Sequence, residues 1–390
     1  MRRRNGVIAV LVAVASGLAV AAGAFAHTET AAAPAKVVAS GACKSPKIAI
    51  EAPLTGPAGF LGQEQREWAQ MAVTNASKKY KLKFRLQLSD TQLDQSIART
   101  VGLRDEADSN VLAVIGPSTS GAVLTNGKLF SGAHLVAISP SATKIELTNG
   151  QFSSFFRVVP NDSVQGAGDA NYMLKVLKVK HVFVVDGQEP YSIGLAGVVE
   201  KRLRAKGVKI THDSTDPNKE TDFSSIVTKV SSDVNIVFLP WQVASAAQTF
   251  SQQLLQQGKR AIVFGTDGDF DPDHFKPAKG YISSFAPDIH GLKSARGIIG
   301  QFKRTFPGKS FGTFGPPSYV ATWIAATAIS KACANGKATR AEVTKFVRGS
   351  KTRTLWNTTI RFTTHGDATP GKSYIFKITN GTYTFLTSFG

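Results

Sequence analysis

The sequence predicts an α/β protein made of two doubly wound parallel-sheet lobes with a cleft between them. Three observations carry this reading. Short apolar runs such as "VLAVIGP" (111–117) and "NIVFLP" (235–240) alternate with amphipathic segments along almost the whole chain. That is the pattern of parallel strands covered by helices on both faces. The chain has 390 residues, more than one such sheet comfortably holds. The alternation also restarts near residue 160.

The chain opens with Arg2, Arg3 and Arg4, an apolar run over 7–22, and then Ala24-Phe25-Ala26. These are the three regions of a secretory signal peptide, with cleavage expected after Ala26 and the mature protein exported. The apolar run is short and rich in alanine and glycine, which disfavours a membrane anchor. Residues 27–45 are alanine-rich without periodicity and read as a flexible leader. Cys43 lies in "SGAC", a weak likeness to a lipidation box, but far beyond the apolar run and without a leucine-like residue three positions earlier.

"KIAIEAPLTG" (47–56) is a strand ending in a turn. Residues 62–79 carry Trp68, Met71, Ala72 and Ala76 at helical spacing. "LKFRLQLSD" (82–90) alternates at Leu82, Phe84, Leu86 and Leu88, a strand. A helix over 94–108 leads to the buried strand 111–117. A helix over 120–132 leads to "LVAISPSAT" (135–143), and "SFFRVVPND" (154–162) is extended. The second series has helices at 163–177, 193–206, 222–232 and 243–257. Its strands are "HVFVVDG" (181–187), "VKITHDS" (208–214), 235–240 and "AIVFGTD" (261–267). "GYISSFAPD" (280–288) is extended again, followed by helices at 292–305, 318–334 and 338–348. "NTTIRFTTHGD" and a hairpin turned at Asn380-Gly381 close the chain.

The extended segments near 157–162, 283–288 and 362–369 are the candidate crossings between lobes. They divide the mature chain into 46–160 plus 287–361 for the first lobe, and 161–286 plus 362–390 for the second. Hinge closure about three such crossings is the expected motion.

The formal charge is +19, from 46 basic and 27 acidic residues, and loss of the three signal arginines leaves +16. The basic residues are scattered over many helix faces and no nucleic-acid motif is present, so the charge reads as a solvated basic surface rather than a nucleic-acid site. An enzyme is disfavoured: no nucleophile elbow, phosphate loop or H-E-x-x-H occurs, and the seven histidines lack metal-ligand spacing. No cofactor motif is present. The two cysteines, Cys43 and Cys333, are either one disulfide or two free thiols.

Ligands of doubly wound sheets bind outside the carboxyl ends of the strands. In the first lobe those ends carry "GPSTSG", with Ser120, and "SPSATK", with Ser141, Ala142 and Thr143. In the second they carry Tyr191, Trp241, Gln242 and Asp267. Hydroxyls and helix-start N–H groups suit a carboxylate. A carboxylate and aromatic rings suit an ammonium. Taken singly, Ser120, Thr143 and Asp267 read as caps. Together at strand ends they describe a site for an α-amino acid. "TDGDFDPDH" (266–274) imitates the first half of a calcium loop, but Pro272 and Ala278 stand where the loop needs a glycine and a bidentate acid. Asp267 is therefore the functional carboxylate, with Asp269, Asp271 and Asp273 expected in a solvated turn.

The segments "IAIEAPLTGPAGFLGQEQREWAQMAV", "VIGPSTSGAVL", "LVAISPSATKIELT", "FFRVVPNDSVQGAGDANYM" and "VVDGQEPYSIGLAGVVEKRL" resemble the type I periplasmic binding proteins. The nearest likeness is to the leucine/isoleucine/valine-type receptors of ABC importers, over residues 46 to 388. The resemblance implies a monomeric, non-catalytic receptor that takes a branched-chain or similar amino acid into the cleft and passes it to a membrane permease. A small amide, urea or aromatic acid is the alternative ligand. The likeness gives Ser120 and Thr143, with the backbone of Ser141 and Ala142, to the ligand carboxylate. It makes Tyr191 the closing ring and Asp267 the ammonium partner. The chain departs from the family pattern at Leu61, where an aromatic is common and Phe60 is adjacent, and at Gln242, where a tyrosine is common and Trp241 precedes it. In the implied fold Cys43 and Cys333 both lie at the end of the first lobe away from the cleft, within reach of a disulfide.

Overall fold

The computed structural model describes residues 42–390. The expected signal peptide and most of the expected leader, up to residue 41, lie outside the described residues. The first series of elements is β1 (Lys47–Ala52), α1 (Gly59–Tyr80), β2 (Arg85–Asp90), α2 (Gln95–Ala107), β3 (Val111–Ile115), α3 (Ser120–Gly132), β4 (Val136–Ser139) and β5 (Phe155–Arg157). Its five strands form one parallel sheet in the order β2-β1-β3-β4-β5.

The second series is α4 (Asp162–Lys175), β6 (His181–Asp186), α5 (Pro190–Arg204), β7 (Lys209–Ser214), α6 (Ser224–Thr228), β8 (Ile236–Leu239), α7 (Ala244–Gln256), β9 (Ile262–Gly265) and β10 (Lys279–Ser284). These strands run parallel in the order β7-β6-β8-β9-β10, the same winding as the first sheet.

The chain then returns to the first lobe through α8 (Arg296–Thr305), α9 (Gly315–Ala332) and α10 (Arg340–Arg348). Beyond them, β11 (Lys351–Arg353), β12 (Thr359–Phe362) and β13 (Ala368–Thr369) make a small antiparallel sheet. Finally β14 (Ser373–Thr379) and β15 (Thr382–Phe389) add an antiparallel hairpin to the free edge of β10. Asn380 and Gly381 both take positive φ, as the two-residue turn of that hairpin requires.

Each buried strand divides its side chains between two cores. From β1, Ile48 and Ile50 join the core under α1 and α9, while Ala49 faces the opposite core with Val123 and Phe130 of α3. From β6, Phe183 and Val185 face one core of the second lobe, and Val182 and Val184 the other. Strands buried on both faces explain why they read as continuous apolar runs rather than alternating ones. The edge strand β2 behaves differently. Its alternation points Leu86 and Leu88 to one face, but Leu88 is 46% exposed.

Some boundaries moved. The helix expected over 318–334 starts earlier, with Pro316 and Pro317 in its first turn, where proline gives up no hydrogen bond. The helix expected over 222–232 is a short turn of five residues.

Two devices tie distant parts of the chain. Arg157 is fully buried at the first crossing. Its Nε lies 2.6 Å from Asp367 Oδ1 and its Nη1 donates to Lys144 O at 2.7 Å, so it ties the segments 157–162 and 362–369 together. The second is the Cys43–Cys333 disulfide, with Cα atoms 5.6 Å apart, joining the start of β1 to the end of α9. Such a bond contributes about 2–5 kcal/mol, and it occupies the sulfur that lipidation of Cys43 would need.

Candidate functional site

Both sheets wind outward from a central pair, β1 and β3 in one and β6 and β8 in the other. At such a switch point the loops leaving the carboxyl ends part and open a crevice. The segments at the two crevices are 53–58 and 116–120 on one side, and 187–190 and 240–243 on the other.

On the first-lobe side the hydroxyls form a chain. Ser118 donates to Gln65 Oε1, Gln65 Nε2 donates to Ser141 Oγ at 2.8 Å, and the Ser141 hydroxyl donates to Ser118 O at 2.6 Å. Ser139 Oγ accepts the Ala142 N–H at 2.9 Å, and Ser120 Oγ accepts the Lys144 N–H at 3.3 Å. The hydroxyl of Ser141 and the N–H of Ala142 are therefore occupied in fixing the loop. Thr143 is different: it is fully buried and its hydroxyl has no hydrogen-bond partner among the described residues.

On the second-lobe side Asp267 begins a short 3-10 turn over Asp267–Asp269, and it is 3% exposed. Its Oδ1 accepts the Tyr191 hydroxyl at 2.7 Å and the Gln165 amide. The Tyr191 phenol oxygen also lies 2.7 Å from Thr266 Oγ1, whose hydroxyl donates to it. Burial pushes the Asp267 carboxyl up to about 6. Gly268 lets this turn close on the next loop: a Cβ there would sit 1.9 Å from Trp241 O. Trp241 itself is fully buried, its indole donates to Val185 O at 2.8 Å, and its ring packs on Phe223 and Phe250. Its ring faces thus belong to the lobe core. Phe60 and Leu61 divide similarly. Leu61 is buried in the first-lobe core, whereas half-buried Phe60 packs edge-on to Phe314 at 5.9 Å and also touches the second-lobe core.

Two expectations for "TDGDFDPDH" are corrected. Asp269 and Asp271 are not in a solvated turn: they are 0% and 6% exposed. The close approach of Gly268 to Trp241 draws the turn inward, and burial pushes the Asp269 carboxyl well above its usual range. Asp271 accepts the Asp273 N–H at 2.8 Å and pairs with His274 Nδ1 at 2.6 Å.

Sequence reasoning missed Asp162, the first residue of α4, capped by Asn161. It is 1% exposed and neither of its oxygens has a hydrogen-bond partner among the described residues. Burial pushes its carboxyl up to about 7, the Thr143 hydroxyl close beside it pulls the other way without reaching good hydrogen-bond geometry, and the charge of Asp267 adds to the rise. The signal was available in the spacing. Asp162, Gln165 and Asp169 recur at i, i+3 and i+7, one face of a helix, and all three are buried. Gln165 Oε1 also lacks a partner. Glu189 caps α5 by accepting the Tyr191 and Ser192 N–H groups at 2.9 and 2.8 Å. Burial raises its carboxyl to about 8, with Asp162 and Asp267 adding repulsion.

Three carboxyls, Asp162, Glu189 and Asp267, thus share one buried region of the second lobe, within each other's electrostatic reach. The Lys144 ammonium reaches toward it from the first lobe, since a Cβ on Gly194 of α5 would lie 3.2 Å from Lys144 Nζ and 3.7 Å from Asp162 Oδ2. Buried carboxylates raised by desolvation and facing one another are relieved by a cation. Among the described residues no group of three or more metal-ligating side chains gathers.

The profile of a family described as periplasmic binding protein matches residues 45–382. An amino acid binding protein of Pseudomonas aeruginosa is 25% identical over 310 residues, covering 76% of this chain and 81% of that protein. The fold is shared with a leucine binding protein of Thermotoga maritima, with a TM-score of 0.80 at 21% identity, covering 88% of this chain and 99% of that one. It is also shared with a solute binding protein of R. palustris in complex with benzoate, with a TM-score of 0.78 at 14% identity, covering 88% and 96% of the two chains.

Proposed function

The chain belongs to the periplasmic binding protein family, and on that premise we propose that it is the exported solute receptor of an ABC importer for an α-amino acid. The lobes are 46–160 plus 287–361 and 161–286 plus 362–390, with the small sheet of β11, β12 and β13 straddling the last boundary. They close on the ligand about the three crossings, and the closed form is offered to a membrane permease. The receptor performs no chemistry on what it carries.

One observation supports the reading: Asp162 and Asp267 are buried within electrostatic reach of each other, and Asp162 and Gln165 keep acceptor atoms without a partner among the described residues. An α-ammonium supplies three donors and one positive charge, which is what this set lacks. The ligand carboxylate is assigned to the first-lobe side, to Thr143 and Ser120, with the loop of Ser141 and Ala142 fixing their position through its own hydrogen bonds. An aromatic acid of the kind bound by the R. palustris protein would bring a second negative charge and no donor to these carboxyls, which disfavours it.

Thermal unfolding of residues 27–390 against α-amino acids, small amides and aromatic acids tests this. A ligand at a hundred times its dissociation constant adds about 2.7 kcal/mol, which moves the midpoint of a chain this size by about 3 °C. A shift with α-amino acids is expected. A shift only with acids or amides that lack an ammonium would leave a receptor but remove the proposed role of Asp267.

A further inference from the structure

A cavity of about 270 Å³ lies between the lobes beside this centre. The first lobe contributes Asp94 and Gln95, and the second contributes Gln188, Glu189, Asp216 and Gln242. It adjoins the Asp267 turn directly, because the Gln242 side chain packs on Gly268: a Cβ there would be 3.1 Å from Gln242 Cγ. Glu189 belongs to both places, lining the cavity and repelling Asp162 and Asp267.

Apolar groups contribute to the wall, with Leu93, Trp241 and Val243 among them. Its charged groups are Asp94, Glu189, Asp216 and one cation, Lys219, which already pairs with Asp216 at 2.8 Å, and neutral groups such as Gln95, Gln188 and Asn218 stand beside them. Gln242 is 7% exposed and its Oε1 has no hydrogen-bond partner among the described residues. A buried acceptor left unpaired costs about 1–3 kcal/mol. Gln242 lines the cavity, and the last torsion of its amide is soft, so the oxygen can turn to meet a donor that enters. An aliphatic ligand tail would leave it unpaired, whereas a tail bearing N–H groups would satisfy it.

We infer that this cavity receives the ligand's side chain and that the preferred ligand is an amino acid whose side chain ends in nitrogen donors, a carboxamide or a guanidinium, rather than a branched aliphatic one. The inference rests on the amino-acid reading above and narrows it. Gln242 is then the specificity-determining residue, and Asp94 and Asp216 favour the positively charged member of the class.

Calorimetric titration of residues 27–390 with glutamine, arginine and leucine, repeated on Gln242→Leu, tests it. Glutamine or arginine is expected to bind at least about tenfold tighter than leucine, the discrimination that one unpaired buried acceptor imposes. In Gln242→Leu that preference is expected to vanish or reverse, with leucine binding at least as well as before. Leucine binding to the unaltered protein as tightly as both others overturns the inference while leaving the receptor reading intact. An unchanged preference in Gln242→Leu overturns the assignment of Gln242. Binding of no α-amino acid at all overturns the function and the inference together. The unaltered protein's preference decides the matter even if Gln242→Leu does not fold.

Discussion

Replacing Asp267 by alanine is expected to weaken amino-acid binding by about 10²- to 10³-fold, while the ligand-free protein keeps or gains thermal stability. The two halves of this result have different origins. Removing one partner of a buried, hydrogen-bonded charge pair costs about 3–5 kcal/mol in the complex. In the ligand-free protein the same carboxyl is held above its usual range by desolvation, so its removal relieves a cost rather than breaking a support. Tyr191 keeps Thr266 Oγ1 as a partner when Asp267 is gone. Titration calorimetry and a melting curve on the same variant give both numbers. Unchanged affinity would remove Asp267 from the site. Lost affinity with a collapsed melting point would make it a structural residue.

Affinity is also expected to fall on acidification, by about a hundredfold between pH 7.5 and 5.5. The three carboxyls nearest the site are raised by burial: Asp267 to about 6, Asp162 to about 7 and Glu189 to about 8. An ammonium binds their ionised forms. Below its raised value each group that faces the ligand must first release a proton, a penalty of about tenfold per pH unit for one linked proton. In the ligand-free protein the sign is opposite. A raised carboxyl contributes stability that is fully present below its unfolded value near 4, and that is lost as pH rises through about 6 to 8. The stabilisation added by ligand should therefore be larger at pH 7.5 than at 5.5. Titrations at several pH values, in buffers of different ionisation enthalpy, would report proton release on binding. Affinity independent of pH would mean that none of these carboxyls meets the ligand's charge.

The two lobes were legible because strands buried on both faces must be apolar throughout, and "VLAVI" and "IVFL" cannot be read otherwise. The rule that ligands bind outside strand carboxyl ends pointed to Thr143, Tyr191 and Asp267 as candidates, and the family resemblance supplied their roles. Asp162 escaped because a carboxylate at the first turn of a helix has an ordinary use at the dipole, and its burial depends on packing of α4 against the second sheet. Asp269 and Asp271 were misread for a related reason. A run of aspartates reads as solvated unless a distant backbone, here Trp241 O against Gly268, draws it in. Trp241, expected at the cleft from its place after β8, lines the interlobe cavity, while its ring packs on Phe223 and Phe250 from other parts of the chain, which the sequence did not reveal. The small sheet of β11, β12 and β13 has strands of two to four residues, too short to carry a period.

The Cys43–Cys333 bond closes a ring of chain with a sequence separation of 290 residues, and that ring contains nearly all of both lobes. A protease that nicks any loop within it cannot release either piece from the other. The cut ends stay tethered through sulfur, near their native neighbours, and the packed lobes can hold their shape around the break. For a receptor working outside the cytoplasm, where disulfides persist, the bond turns a severed backbone from a loss of the molecule into a local wound.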